Sequence, residues 1–302
     1  MTWKPRGRLF GSELGIWWMS GGAYAFFPIV ESDGTLRFVA GGRDKDGRSR
    51  LGVVTMEWGD QPRVTHVTPD PILDLGEPGA FDMDGVSYPC VMPSERGIFL
   101  YFTGWRRLGG RVPWTTDLGL AQSDDSGKTF RRLSRAPLMP PTDEEPIGVG
   151  SVCVVPSESA WSMFYTRLLS WDIEAQPARP NYNVWRASSS DCIMWRRDGV
   201  NVIPHEPGEY ALGAPSFHRW DGQEQLYFTA RGSRYRVFVA VRGEDGNFRR
   251  VPGPIQIEST DWDSEMQCYP HVREIRGRRY LFYCGNGYGR AGVGFAEWSG
   301  ET

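Results

Sequence analysis

Three threonines, Thr103, Thr166 and Thr229, stand at equal intervals of 63 residues, each closing an apolar run: "FLYFT", "SMFYT" and "QLYFT". A period this long and regular marks a repeat architecture, in which a unit too small to bury its own apolar face packs against copies of itself. Other runs recur around it. A first run precedes it as "AFFPIV", "SYPCVM", "GSVCVV", "GAPSFH" and "CYPHVR". The second run is completed by "LRFVAGG" and "YLFYCGN". A third follows as "LGVVTME", "LGLAQSD", "YNVWRAS", "YRVFVAV" and "AGVGFAE", and a fourth as "PILDL", "APLMP", "NVIPH" and "PIQIE".

The runs are rich in β-branched and aromatic residues, are cut by Gly, Pro, Asp and Asn, and show almost no helical period. They predict an all-β chain: a five-bladed β-propeller with four antiparallel strands per blade, a single domain over residues 1–302. The fifth unit stops at "EWSGET" before any fourth run, whereas "GRLFG" at residues 7–11 resembles one. The N-terminal strand is therefore expected to join the last blade and close the ring, removing the seam at which it could open. "SDDSGKTF", with Ser123, Asp125, Gly127, Thr129 and Phe130, fits the Asp-box pattern, a turn device in which the acid accepts backbone N–H bonds.

A content of 40% hydrophobic and 13% aromatic residues is enough to fill such a core, and a net charge of −3 gives no bulk attraction to nucleic acid or anionic lipid. No apolar run approaches the ~20 residues of a membrane span, and the N-terminus lacks a signal-peptide pattern. A cytoplasmic protein acting away from membranes and nucleic acid is expected. The five cysteines show no metal-type spacing and read as buried reduced thiols. The four histidines do not pair at ligand spacing, so no metal site is expected.

Acids precede four of the first runs: "FDMDG" (Asp82, Asp84), "DEEPIG" (Glu145), "GEYALG" (Glu209) and "DWDSEM" (Glu265). In a four-stranded meander alternate turns share a face, so these segments should meet the loops between second and third strands. Those loops carry Asp44, arginines (Arg43, Arg106, Arg231) and tryptophans (Trp105, Trp114, Trp171). Each acid taken singly is equally a turn cap. Taken together they predict one acidic funnel, where repulsion and burial split carboxyl pKa values as acid/base work on a glycosidic bond requires.

With these motifs the chain resembles, over essentially its whole length, the five-bladed glycosidase-like propellers: the arabinanase/β-xylosidase, invertase/levansucrase and mannoside phosphorylase groups. The resemblance implies Glu209 as general acid and Glu145 as the residue tuning its pKa. The arabinanase group takes its base from an acid leading into the first blade, and "WWMSGGAYAFFP" has none there. Asp44 or Asp84 is expected to serve instead, with Asp82 or Asp84 the acid if the phosphorylase arrangement holds. Asp82, Glu265, Arg43, Trp18, Trp105, Arg231, Tyr88, His271 and Asn286 are expected against substrate, His271 at the position where the likeness puts a histidine lining the axial channel. The likeness implies no cofactor beyond a structural axial cation near His271. The implied function is a glycosidase-like enzyme acting on a small saccharide or sugar-bearing natural product. The alternatives are C–N bond hydrolysis or phosphorolysis in natural-product or polysaccharide biosynthesis, and a non-catalytic saccharide-binding module.

Overall fold

In a computed structural model, which describes residues 2–157 and 160–300, the recurrent runs are strands. β1 (Thr2–Phe10) comes first. Four meanders follow: β2 (Gly22–Val30), β3 (Leu36–Arg43), β4 (Ser49–Glu57) and β5 (Arg63–Val67); β6 (Gly85–Ser94), β7 (Gly97–Arg107), β8 (Trp114–Ser123) and β9 (Arg131–Arg132); β10 (Val149–Pro156), β11 (Trp161–Asp172), β12 (Arg179–Ser189) and β13 (Arg196–Ile203); β14 (Ala211–Trp220), β15 (Gln223–Arg231), β16 (Tyr235–Arg242) and β17 (Phe248–Arg250). After β18 (Gln256–Ile257), the strands β19 (Cys268–Ile275), β20 (Arg278–Cys284) and β21 (Val293–Trp298) form a meander one strand short. β1 fills the vacancy, pairing antiparallel with β21 from Trp3 opposite Trp298 to Phe10 opposite Val293. The first strands touch in cyclic order: β2 with β6, β6 with β10, β10 with β14, β14 with β19, and β19 with β2. Among the described residues no helix is long and apolar enough to cross a membrane, and all five cysteines are free and buried.

The threonine period has a local cause. Each first strand carries one non-glycine residue at positive φ: Ala25, Tyr88, Ser151, Ala214 and Tyr269. Each coincides with a break in register against the second strand. Such a bulge frees a backbone N–H, which must find another acceptor once buried. The threonines of the preceding sheet supply it. Thr103 Oγ1 accepts from Ser151 N at 2.8 Å and Thr229 Oγ1 from Tyr269 N at 2.9 Å. Thr166 acts through the Ser151 hydroxyl, which bonds Thr166 Oγ1 at 2.5 Å and accepts Ala214 N at 3.0 Å. Equal spacing thus follows from one role repeated between neighbouring sheets, filled directly by Thr103 and Thr229 and through Ser151 by Thr166.

Trp18 is fully buried between Gly42 and Gly52, where a Cβ on either glycine would overlap the indole, and its N–H reaches Thr68 O at 3.0 Å. Trp262 stands over Gly285 and Gly294 in the same way. Bulk on one side and glycine on the other let the segment leading into a first strand lie close against its own meander.

The Asp-box turn forms as its pattern requires. Asp125 accepts the Lys128 and Thr129 amides at 3.0 Å each and the Thr129 hydroxyl at 2.6 Å. Those bonds, Thr129's first, hold its carboxyl well below the usual range. A depressed carboxyl stabilises the fold above its unfolded pKa and loses that contribution on acidification. Asp125→Ala is therefore expected to lower the thermal midpoint at pH 7, with the gap from wild type shrinking as pH falls below about 4. Melting curves across pH check this. An unchanged midpoint at pH 7 would mean the turn holds without its acid.

Candidate functional site

The bulges that satisfy the threonines also shape a cavity. Tyr88, Ser151, Ala214 and Tyr269, four of the five bulged residues, line a cavity of about 640 Å³ together with Thr103, Thr166 and Thr229. That volume suits a small ligand. Its walls carry seven tyrosines (Tyr24, Tyr88, Tyr182, Tyr210, Tyr235, Tyr269 and Tyr288), two tryptophans (Trp105 and Trp114) and three arginines (Arg43, Arg179 and Arg231). None of the lining residues is Asp, Glu or His.

The tyrosines are mutually organised. Tyr24 donates to the Tyr88 hydroxyl at 2.9 Å, and the Tyr182 and Tyr235 hydroxyls are 2.8 Å apart. Tyr24, Tyr88 and Tyr269 pack edge to face, with centroids 5.1–5.6 Å apart. Burial raises the Tyr88, Tyr182 and Tyr269 phenols well above their ordinary pKa, so they stay protonated and can donate. Arg43 lies 4.0 Å over the Tyr24 ring. Arg231 lies 4.9 Å over Tyr235 and donates to the Tyr288 hydroxyl at 3.0 Å. Arg179 is ion-paired to Asp172. Trp114 meets Trp171 edge to face at 4.7 Å. Of the substrate-binding positions expected from the sequence, Arg43, Tyr88, Trp105 and Arg231 are in this wall.

The carboxylates are elsewhere, and all but Glu265 have partners that explain them. Asp82, 1% exposed, holds Arg132 Nε at 2.7 Å. Glu145, 3% exposed, accepts Tyr165 Oη at 2.7 Å and Arg197 Nε at 2.8 Å, with Arg167 at 3.5 Å. Glu209 takes both Arg250 terminal nitrogens, at 2.6 and 2.8 Å. The arginines lie in β9, β13 and β17, so each acid ties the segment leading into a first strand to the fourth strand of the same meander. In the last meander Asp263, fully buried, plays the part with Tyr283, Gln267 and Thr260. Asp84 accepts the Arg107 amide at 2.8 Å, and Asp44 braces its hairpin through the Asp46 and Arg48 amides and Arg50. Glu265 is exposed.

The acids expected to form one funnel are placed outside this wall: Asp44, Asp82, Asp84, Glu145, Glu209 and Glu265 are not among the residues lining the cavity. The physical reason is charge pairing. Burial raises the Glu209 carboxyl, but Arg250 outweighs it and the net shift is downward, opposite to what a general acid needs. Desolvation likewise raises Asp44 and is outweighed by Arg50 and the hairpin amides. Three other expected positions also lie outside the cavity wall. Trp18 is core. Asn286 Oδ1 accepts the Glu265 and Met266 amides, which makes it a loop brace. His271 is packed between Phe26 and Phe27 with Ser216 Oγ at 3.2 Å, and burial, with Arg273 nearby, pushes its pKa well below ordinary. Those neighbours offer a cation no anionic oxygen, and no group of three His, Cys, Asp or Glu able to hold a metal occurs among the described residues.

Sequence reasoning missed Asp117 on β8. Its side chain is buried, one carboxylate oxygen has no hydrogen-bond partner among the described residues, and burial pushes its pKa up to about 6 against the pull of Arg106. A carboxyl whose folded pKa exceeds its unfolded value binds its proton more tightly when folded. Its cost is absent below about pH 4 and complete above about pH 6. Asp117→Asn is expected to gain about 2–3 kcal/mol more stability at pH 8 than at pH 4. Denaturant titration at the two pH values measures the difference; equal gains would show that Asp117 ionises freely.

No family model matches the chain. It is 31% identical over 303 residues to two Mycobacterium tuberculosis proteins called uncharacterized protein MT1551 and uncharacterized protein Rv1502, covering 98% of this chain and 99% of each relative. Among solved structures, one called a glycoside hydrolase aligns with TM-score 0.75 at 16% identity, over 97% of this chain and 90% of that one. Alpha-L-arabinofuranosidase from Lactobacillus brevis aligns with TM-score 0.68 at 10% identity, over 91% and 90%. The fold is that of propeller-type glycoside hydrolases, as the sequence resemblance implied.

Proposed function

The chain belongs to the family of the M. tuberculosis proteins MT1551 and Rv1502, and on that footing we propose that it is a saccharide-binding propeller. Five four-stranded blades, closed by the N-terminal strand, would hold a small saccharide or glycoconjugate in the tyrosine-lined cavity without the paired carboxylates of glycoside hydrolysis. The closure reading is supported by the β1–β21 pairing and the cyclic contacts of the first strands. One observation carries the functional reading: a cavity in the fold of glycoside hydrolases whose walls are aromatic and cationic, with every expected catalytic acid engaged elsewhere.

Aromatic rings offer apolar faces to sugar C–H groups while hydroxyls and guanidinium groups meet the sugar oxygens. Trp105→Ala is expected to weaken saccharide binding about tenfold, roughly 1.4 kcal/mol, in calorimetry. Binding unaffected by that truncation would place the ligand elsewhere. A hydrolytic second reading is favoured by the fold shared with glycoside hydrolases. Turnover of an aryl glycoside by the wild-type chain would establish it over the binding reading.

A further inference from the structure

We infer that the cavity's ligand carries an oxyanion, the carboxylate of a uronate or the phosphate of a sugar phosphate, and that Arg43 and Arg231 hold it. This deepens the saccharide-binding reading and rests on it. The clasp arginines Arg132, Arg197 and Arg250 each face a carboxylate within 2.8 Å. Arg43 and Arg231 differ. Both are half-buried at the C-terminal ends of second strands, and no carboxylate lies within 4.0 Å of either among the described residues. A guanidinium withdrawn from water without a counter-charge is costly, and an anionic ligand group removes that cost.

The surroundings favour an anion. Arg43 stacks on Tyr24, and Arg231 on Tyr235. A guanidinium over a ring face leaves its in-plane N–H groups for bonding to carboxylate or phosphate; on Arg231 one terminal nitrogen already donates to Tyr288, and the rest are left to meet the ligand. Protonated tyrosine hydroxyls add donors, and the lining residues include no carboxylate to repel the incoming charge. Neutral sugar hydroxyls would gain less from such a wall than a charged oxygen does.

The test titrates the full chain with glucose, glucuronate and glucose 6-phosphate at constant ionic strength, by calorimetry and by tryptophan fluorescence. At least one anionic probe is expected to bind ten times more tightly than glucose. Arg231→Met and Arg43→Met should each remove that preference, and Arg231→Lys should restore part of it. Preference for glucuronate identifies the carboxylate as the group held, and preference for glucose 6-phosphate the phosphate. Thermal melting confirms folding of the variants; if Arg43→Met fails to fold, Arg231→Met decides. Glucose binding as tightly as both anions, or Met variants that keep the preference, overturns the oxyanion inference and leaves saccharide binding standing. No binding by any of the three probes overturns both.

Discussion

Replacing Glu145 by alanine is expected to cost about 3–5 kcal/mol of stability, the range for removing one partner of a buried ion pair. The carboxylate holds three groups at once: the Arg197 guanidinium at 2.8 Å, the Tyr165 hydroxyl at 2.7 Å and Arg167 at 3.5 Å. Alanine would strand two cations and a phenol in a site where the carboxylate itself is 3% exposed. Glutamine keeps the shape and an acceptor but not the charge, so it should cost less. Thermal midpoints should order wild type, Glu145→Gln, Glu145→Ala, with the alanine variant falling by roughly ten degrees. A shift within a degree of wild type would show that solvent reaches the clasp and screens it.

The second large effect concerns Glu209 and Arg250. Glu209→Ala leaves Arg250 against Phe228 and Phe238, centroids at 5.2 and 4.9 Å, with only the exposed Glu206 carboxylate at 3.3 Å in place of its two-point partner. A loss of about 3 kcal/mol is expected. Adding Arg250→Met should recover most of it, because an apolar side chain of similar length suits two phenyl rings better than a charge left with one exposed partner does. The double-mutant cycle reads the coupling directly. A double variant no more stable than Glu209→Ala would mean that Arg250's partner is not Glu209. Because the Glu209 pKa is depressed, the clasp stabilises above the unfolded carboxyl range and weakens as pH falls through and below about 4.

These expectations also measure how much the sequence disclosed. The repeat was legible, because a threonine serves a bulged strand, directly or through Ser151, at fixed spacing in successive sheets. The missing strand was legible too, since a fifth unit with three runs leaves a sheet that only the other terminus can complete. The positions of the acids were legible and their role was not. Each arginine partner lies 41–52 residues downstream, in fourth strands that include β9 and β17 of two and three residues, too short to show any period. Charge pairing across a sheet leaves no local signature.

The cavity was half visible. Arg43, Trp105 and Arg231 follow from loop position, and Tyr88 from its run. Tyr269 occupies the same place in "CYPHV" that Tyr88 does in "SYPCV", so the repeat itself could have named it. Tyr182, Tyr210, Tyr235 and Tyr288 come from four further segments whose convergence depends on how distant meanders pack. Trp18 misled because a tryptophan near a mouth reads as a stacking platform until Gly42 and Gly52 are seen enclosing it.

The central claim is that arginine and tyrosine bind the ligand while the acids hold the frame. Glu209→Gln and Arg231→Met, melted and titrated side by side with the anionic sugar that binds wild type, separate the two roles. The account predicts a lowered midpoint with unchanged affinity for Glu209→Gln, and an unchanged or raised midpoint with at least tenfold weaker affinity for Arg231→Met. The reverse pattern, with Glu209→Gln losing ligand or turnover at full stability, would contradict it.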